Sequence, residues 1–335
     1  MSHNVETMAY AGEMPWHGLG VSVSDMLTPR EMQIAAGLDW EAIKVPTYIR
    51  NPNWKVGVGK EIAREIPTGE FCIARNTDLA ILSPSVGKNW HEVSNAEVFN
   101  TFNDIVSAGN AKMETAGSLQ DGKIIWALAR LEDSFDILDG DISHAYMFLS
   151  ASHKFGMSTR CDFTNIRVVC NNTLNAALSD KSSGALVIQH RTKFDAAAVA
   201  DFMGASHVQM MLRKAQAVAL SAKKAEEEDL KLFYSKVFPL TSKSNVREKE
   251  LSRNAEFALA LNNDDNQPGI DFARGSWWQA FNTVTFMADH HLANNADTRM
   301  FNSWLGTGRS LKLNALNLAL EMSGSDADLA EKIAA

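Results

Sequence analysis

Cysteine is scarce: Cys72, Cys161 and Cys170 are the only three in 335 residues, and no two form a CxxC pair. This excludes a disulfide framework and a structural zinc site of the usual spacing. Eight prolines and 20 glycines are too few for a collagen-like or linker-dominated chain. No run of about 18 apolar residues occurs, so an ordinary membrane-spanning helix is excluded. The first residues, 1–16, contain no basic stretch followed by an apolar one, so no secretory signal is expected. Excess positive charge is missing too. Lys and Arg number 32 against 40 Asp and Glu, a formal charge of −8, which argues against a protein that simply coats DNA.

Enzyme signatures are also absent. There is no HExxH and no GxSxG elbow. Gly57-Val58-Gly59-Lys60 is followed by Glu61 where a phosphate-binding loop needs Ser or Thr, and it lacks the upstream glycine at the right distance. Gly87-Lys88-Asn89 fails for the same reason, and Gly18-Leu19-Gly20 is too short. ATP-driven or hydrolase chemistry is therefore not expected. What is present is a composition 45% hydrophobic and 21% charged, enough for a substantial core in one large domain or two ordinary ones. A reduced, cytoplasmic protein is expected.

The pattern along the chain predicts the fold class α+β: an antiparallel β-meander with flanking helices, followed by a mainly helical C-terminal region. Residues 1–70 read as short strands and loops packed on the core, with one helix from Thr28-Pro29 to about Ala36. Residues 71–194 read as the core. A helix is predicted from Ser94 or Asn95 to Ser107, and Asp121-Gly122 marks a two-residue hairpin. The strand after it, Ile124 to Leu131, is apolar on both faces and therefore central. Two further strands, Ala145–Ser152 and Ser158–Val169, join across His153-Lys154-Phe155-Gly156, with Arg160, Asp162 and Thr164 alternating onto one face. At Asn171-Asn172 the pattern switches to helix, an asparagine supplying the cap. Residues 195–335 read as helices: 194–224, AEEEDLKLFYSKVF, 246–261, SWWQAFNTVTFMADHH and LKLNALNLALEM.

The segment from His153 to Lys193 holds Lys154, Arg160, Arg167, Lys181, Arg191 and Lys193 against Asp162 and Asp180. Its charge of +4 leaves −12 for the rest of the chain. Gathered on one face, these cations suit a phosphate backbone, and His153 and Phe155 at the hairpin tip suit base stacking. The same residues also fit a solvated strand face balanced by acids from elsewhere. Asp289-His290-His291 offers metal-ligand types, but adjacent helical residues point about 100° apart. A helix C-terminus that favours imidazole explains the histidines better. Trp277, Trp278 and Trp304 fit core packing better than a base-stacking surface.

Several ordered motifs resemble the phage/plasmid-like protein family defined by a domain of unknown function, number 932. They are Pro15-Trp16-His17-Gly18-Leu19-Gly20, Gly37-Leu38-Asp39-Trp40, Arg167-Val168-Val169-Cys170-Asn171-Asn172-Thr173-Leu174, Gln189-His190-Arg191-Thr192, Gly275-Ser276-Trp277-Trp278, Asn282-Thr283-Val284-Thr285 and Asp289-His290. The resemblance covers nearly the whole chain, with Trp90 where Tyr is usual and Ser276 where Thr is usual. It implies a mobile-element origin and action inside a bacterial host cell, and it brings no settled activity. Trp16, His17, Asn171, Asn172, His190, Asp289 and His290 thus stand as motif residues without an assigned role.

The expected function is single-stranded DNA binding or annealing in recombination or replication, without ATP, cofactor, metal or membrane. Lys154, Arg160, Arg167, Arg191 and Lys193 would contact phosphates, His153 and Phe155 would contact bases, and a homo-oligomer would extend the groove. In outline, the helix–meander–helix core is similar to that of ring-forming single-strand annealing proteins. Two other readings are carried. One is a metal- or histidine-dependent enzyme acting on nucleic acid or nucleotides, built on His17, His153, His190 or His290. The other is a protein that binds a host factor through its acidic surface.

Overall fold

A computed structural model describes residues 5–12, 20–24, 27–54, 63–108, 111–138, 140–167, 172–175, 186–188, 211–240, 250–292 and 302–325. The fold is α+β, as the sequence pattern predicts. The main sheet contains β1 (Val5–Ala11), β2 (Val21–Val23), β6 (Lys112–Leu119), β7 (Ile124–Leu138), β8 (Asp141–Ser152), β9 (Thr159–Arg167), β10 (Asn172–Asn175) and β11 (Leu186–Ile188). Its order is β10-β9-β8-β7-β6-β1-β2, with β11 also pairing with β9. A second sheet of β3 (Ala42–Arg50), β4 (Glu65–Arg75) and β5 (Ile81–Val86) has β4 in the middle. The predicted boundary at residue 70 therefore falls inside β4, and β1 and β2 extend the main sheet.

The β6–β9 meander runs in the predicted order, and β7 is a central strand because both of its faces are apolar. Ile125, Ala127, Ala129 and Leu131 face one core, together with Ala145, Met147, Leu149, Ala151 and Cys161. Trp126 and Leu128 face the other way with Tyr146 and Phe148. The first face is covered by α1 (Pro29–Ala35), α2 (Asn95–Ala108) and the small sheet, through Met32, Phe99, Phe102, Ile73 and Leu82. Helix α1 begins where expected. Thr28 accepts from the Glu31 amide, and Glu31 answers the Thr28 backbone, a reciprocal cap around Pro29. Gly117 lets β1 and β6 approach closely, since an added Cβ would lie 2.6 Å from the Thr7 carbonyl oxygen.

The C-terminal region is helical: residues 211–221, then α3 (Glu227–Val237), α4 (Arg253–Asn262), α5 (Trp277–His290) and α6 (Thr307–Ser323). Phe233, Tyr234, Trp277, Trp278, Phe281, Leu316 and Leu320 form its core. Trp277 and Trp278 are thus packing residues, as their helical spacing predicts. Trp304 inserts against the second face of the main sheet, edge-on to Trp126 at 4.9 Å and to Phe148 at 5.2 Å. Among the described residues, no helix is long and apolar enough to cross a membrane.

Three local readings are corrected. Asn172 does not open a helix: Asn172–Asn175 is a strand paired with Arg167–Thr164. Asparagine favours turns as strongly as helix caps, so the strand-to-helix reading mistook a return strand. Helix α4 starts at Arg253 rather than near 246, because Ser252 accepts from the Ala255 amide and residues 250–252 are not helical. The β6–β7 turn spans 120–123 rather than two residues, since Leu119 pairs with Ile124.

Candidate nucleic-acid interface

The β8–β9 turn is anchored by one buried side chain ahead of an exposed tip. His153 points inward. Its amide donates to the Lys123 carbonyl at 2.9 Å, and its Nε2 lies 2.9 Å from Asn95 Oδ1. The Asn95 amide group donates to the carbonyls of Leu38 at 3.2 Å and Trp40 at 2.9 Å. Asn95 Oδ1 is therefore the acceptor, and His153 must carry its proton on Nε2. The imidazole also packs 5.2 Å from the Trp40 ring and is only 1% exposed. This corrects the base-stacking role expected for His153: burial against Asn95 and Trp40 removes it from any surface.

Lys154 and Phe155 point outward. The Phe155 amide meets Ser83 Oγ at 3.4 Å, and its ring is 68% exposed, lying 5.8 Å from Trp90. Trp90 is half-buried against the first core. Lys44 of β3 donates to the Lys88 carbonyl at 2.7 Å and the Trp90 carbonyl at 2.8 Å, and its ammonium lies 4.7 Å from the Phe71 ring centre. Lys88 and Lys154 border this surface and are exposed. Among the described residues, Lys44, Lys88 and Lys154 make no ion pair. The Glu70 carboxylate accepts the Ser85 hydroxyl. An exposed aromatic ring with lysines nearby in the chain can stack a base and neutralise its phosphate.

Only part of the expected constellation comes together. Lys154 and Phe155 share the tip. Arg160 faces the C-terminal helices, where it and Arg309 act on Asp162; burial raises the Asp162 pKa, and the two guanidiniums pull it back down. Arg309 lies 3.4 Å from the Asp162 carboxylate. Arg167 ends β9 opposite Ser143 and Asn172, at the far end of the strand from the tip. Among the described residues, β9 thus places Arg160 near the tip and Arg167 at its other end. Trp16, His17, Asn171, His190, Arg191 and Lys193 lie outside the described residues, as does the side chain of Asn172. Sequence reading missed Trp90, Lys88 and Lys44 as site residues. The available signal was an aromatic two residues after a lysine in the Gly87-to-Trp90 turn.

The motif residues Asp289 and His290 fall elsewhere. Asp289 is buried and accepts from Lys312 Nζ at 2.7 Å, while His290 lies 4.6 Å from Phe286, ring centre to ring centre. His291 is 5.3 Å from Phe286 by the same measure. Among the described residues, no group of His, Cys, Asp or Glu is arranged to hold a metal ion.

Among known families, the model "Domain of unknown function (DUF932)" matches the chain over residues 83–305. That span includes Lys88, Trp90, Lys154 and Phe155 and leaves β3 and β4 outside it. No curated protein and no solved structure matches the chain.

Proposed function

Because the chain belongs to the family of the domain of unknown function 932, whose description carries no activity, we propose a function from geometry: the protein binds single-stranded nucleic acid at the β8–β9 tip. The carrying observation is the Phe155 ring, 68% exposed beside Trp90 with Lys154 and Lys88 bordering it. An exposed phenylalanine held by the rigid turn around His153 costs little to order on binding. Every base has a stackable face, so this surface favours strands over particular sequences. The lysines add a salt-sensitive attraction to phosphate. Binding of this kind needs no nucleotide hydrolysis and supports strand handling in recombination or replication.

The histidine-enzyme reading finds less support, since His153 is buried against Asn95 and His290 packs on Phe286. Fluorescence anisotropy of a labelled single-stranded oligonucleotide tests the proposal. The wild type should bind with an affinity that falls as salt rises. Phe155→Ala should weaken binding about 5- to 150-fold, the range of one stacked base. Absence of salt-sensitive binding at micromolar protein would sink the proposal.

A further inference from the structure

The β3–β4 hairpin leaves the body of the protein near Thr47. β5 pairs with β4 only from Phe71 onward, so residues 65–70 have β3 on one edge and nothing on the other among the described residues. Tyr48, Ile49, Arg50 and all of residues 65–70 are exposed. A lone two-stranded ribbon is marginal in water, yet this one displays large side chains: Tyr48 and Ile49 are each 55% exposed. Ile49 sits opposite Ile66 and shares its face. By alternation, Tyr48 and Arg50 line the other face, with Glu65 opposite Arg50, and Lys44 and Pro46 precede a register shift between Pro46 and Tyr48.

The strand itself starts at the proposed site. Lys44 touches the Trp90 carbonyl, and Trp90 touches Phe155. From Lys44 to Arg50 the strand advances about 20 Å at ~3.3 Å per residue. Beyond it, the Arg64 guanidinium lies 5.2 Å from the Trp54 ring centre. Among the described residues, neither Arg50 nor Arg64 makes an ion pair. Pro46 and Pro67 each remove an N–H from the ribbon, which opposes strand addition by a second copy. The ribbon's chemistry is therefore that of its side chains, an aromatic between cations with Glu65 opposite Arg50.

We infer that the β3–β4 ribbon is an arm that carries a single strand onward from the tip, with Tyr48 as a second stacking face and Arg50 and Arg64 as phosphate contacts. The inference rests on the reading of the Phe155 surface. Anisotropy titrations with oligonucleotides of about 4 and about 16 nucleotides, the range of compact single-strand sites, separate the two. Arg50→Ala with Arg64→Ala should leave the short oligonucleotide bound as in the wild type and weaken the long one about tenfold. The salt slope for the long one should fall by about 1.4, for two lost phosphate contacts on a single strand. Tyr48→Ala should also weaken only the long one. Unchanged affinity and slope in the arm variants, with Phe155→Ala still impaired, would overturn the arm and leave the tip site standing. Failure of the wild type to bind either length removes both. Sedimentation velocity of the same variants supplies the remaining outcome. If they change the oligomeric state without changing binding, the ribbon docks on a second copy and the inference is wrong.

Discussion

Lys312 holds a positive charge where water does not reach. Its ammonium donates to Asp289 Oδ1 at 2.7 Å and to Ser303 Oγ at 2.7 Å, and the Ser303 hydroxyl turns to the same carboxylate. Burial pushes the Lys312 pKa down, Asp289 pulls it back up, and nearby Arg309 pushes it down again. Two ions taken out of water gain little net stability as a pair, but removing one strands the other. Lys312→Met should therefore cost about 3–5 kcal/mol, read from the urea midpoint at constant slope. Adding Asp289→Asn should recover most of that loss. An equal loss in the single and double variants would show that packing around the lysine stem, not the stranded carboxylate, sets the effect. Asp289 was visible beforehand as a motif residue, but its partner was not. Lys312 lies 23 residues further on in an ordinary-looking helix, and no local spacing reveals a pair that only tertiary folding creates.

Elements were legible wherever the signal was local. Thr28 with Glu31 capped α1, and Ser276 caps α5 by accepting from the Gln279 amide. Asp121-Gly122 marked the β6–β7 turn, although its real form is more constrained than a two-residue loop. Gln120, Asp121 and Gly122 are all left-handed, with φ of 55°, 58° and 80°. Only glycine takes that conformation without strain, and here the space is closed as well. A Cβ on Gly122 would lie 2.9 Å from Arg75 Nη2, which donates to the Asp121 carbonyl at 3.1 Å while Nη1 donates to Glu6 at 2.6 Å. Gly122→Ala should cost about 1–2 kcal/mol from backbone handedness, with further loss if Arg75 is displaced. A thermal midpoint equal to the wild type's would mean that the turn relaxes freely. What local pattern could not supply was long-range pairing. β1 joins β6 across more than a hundred residues, as the Thr115 hydroxyl donating to the Ala9 carbonyl at 2.8 Å illustrates. The Asn171-Asn172 error has the same origin, since a turn and a cap use the same side chain and only the partner strand tells them apart.

At the scale of the molecule, alternation separates the two faces of a strand without saying what covers each. Arg160 and Asp162 share one face of β9, as alternation predicts. That face is not open to solvent at Asp162, because the C-terminal helices lie across it and Arg309 reaches its carboxylate at 3.4 Å. The same cover places Arg160 beside the C-terminal helices, while Lys154 and Phe155 stay exposed at the tip. Among the described residues three cores result, one between the main sheet and its N-terminal cover, one among the C-terminal helices and one on the second face of the sheet. Trp304, just ahead of α6, joins the C-terminal region to the sheet by packing into the third, against Trp126 and Phe148. Removing a large aromatic from such a joint forfeits about 3–5 kcal/mol. The loss should fall on the coupling between the cores more than on any one core. Trp304→Ala is therefore expected to turn a single calorimetric transition into two, the helical half melting first and the sheet near its wild-type midpoint. Loss of near-ultraviolet tryptophan signal should track the first transition, since Trp277 and Trp278 belong to the helical core. A variant that still melts in one step at a lowered midpoint would show that the remaining contacts of β10 with α5 and α6 bind the halves into one cooperative unit.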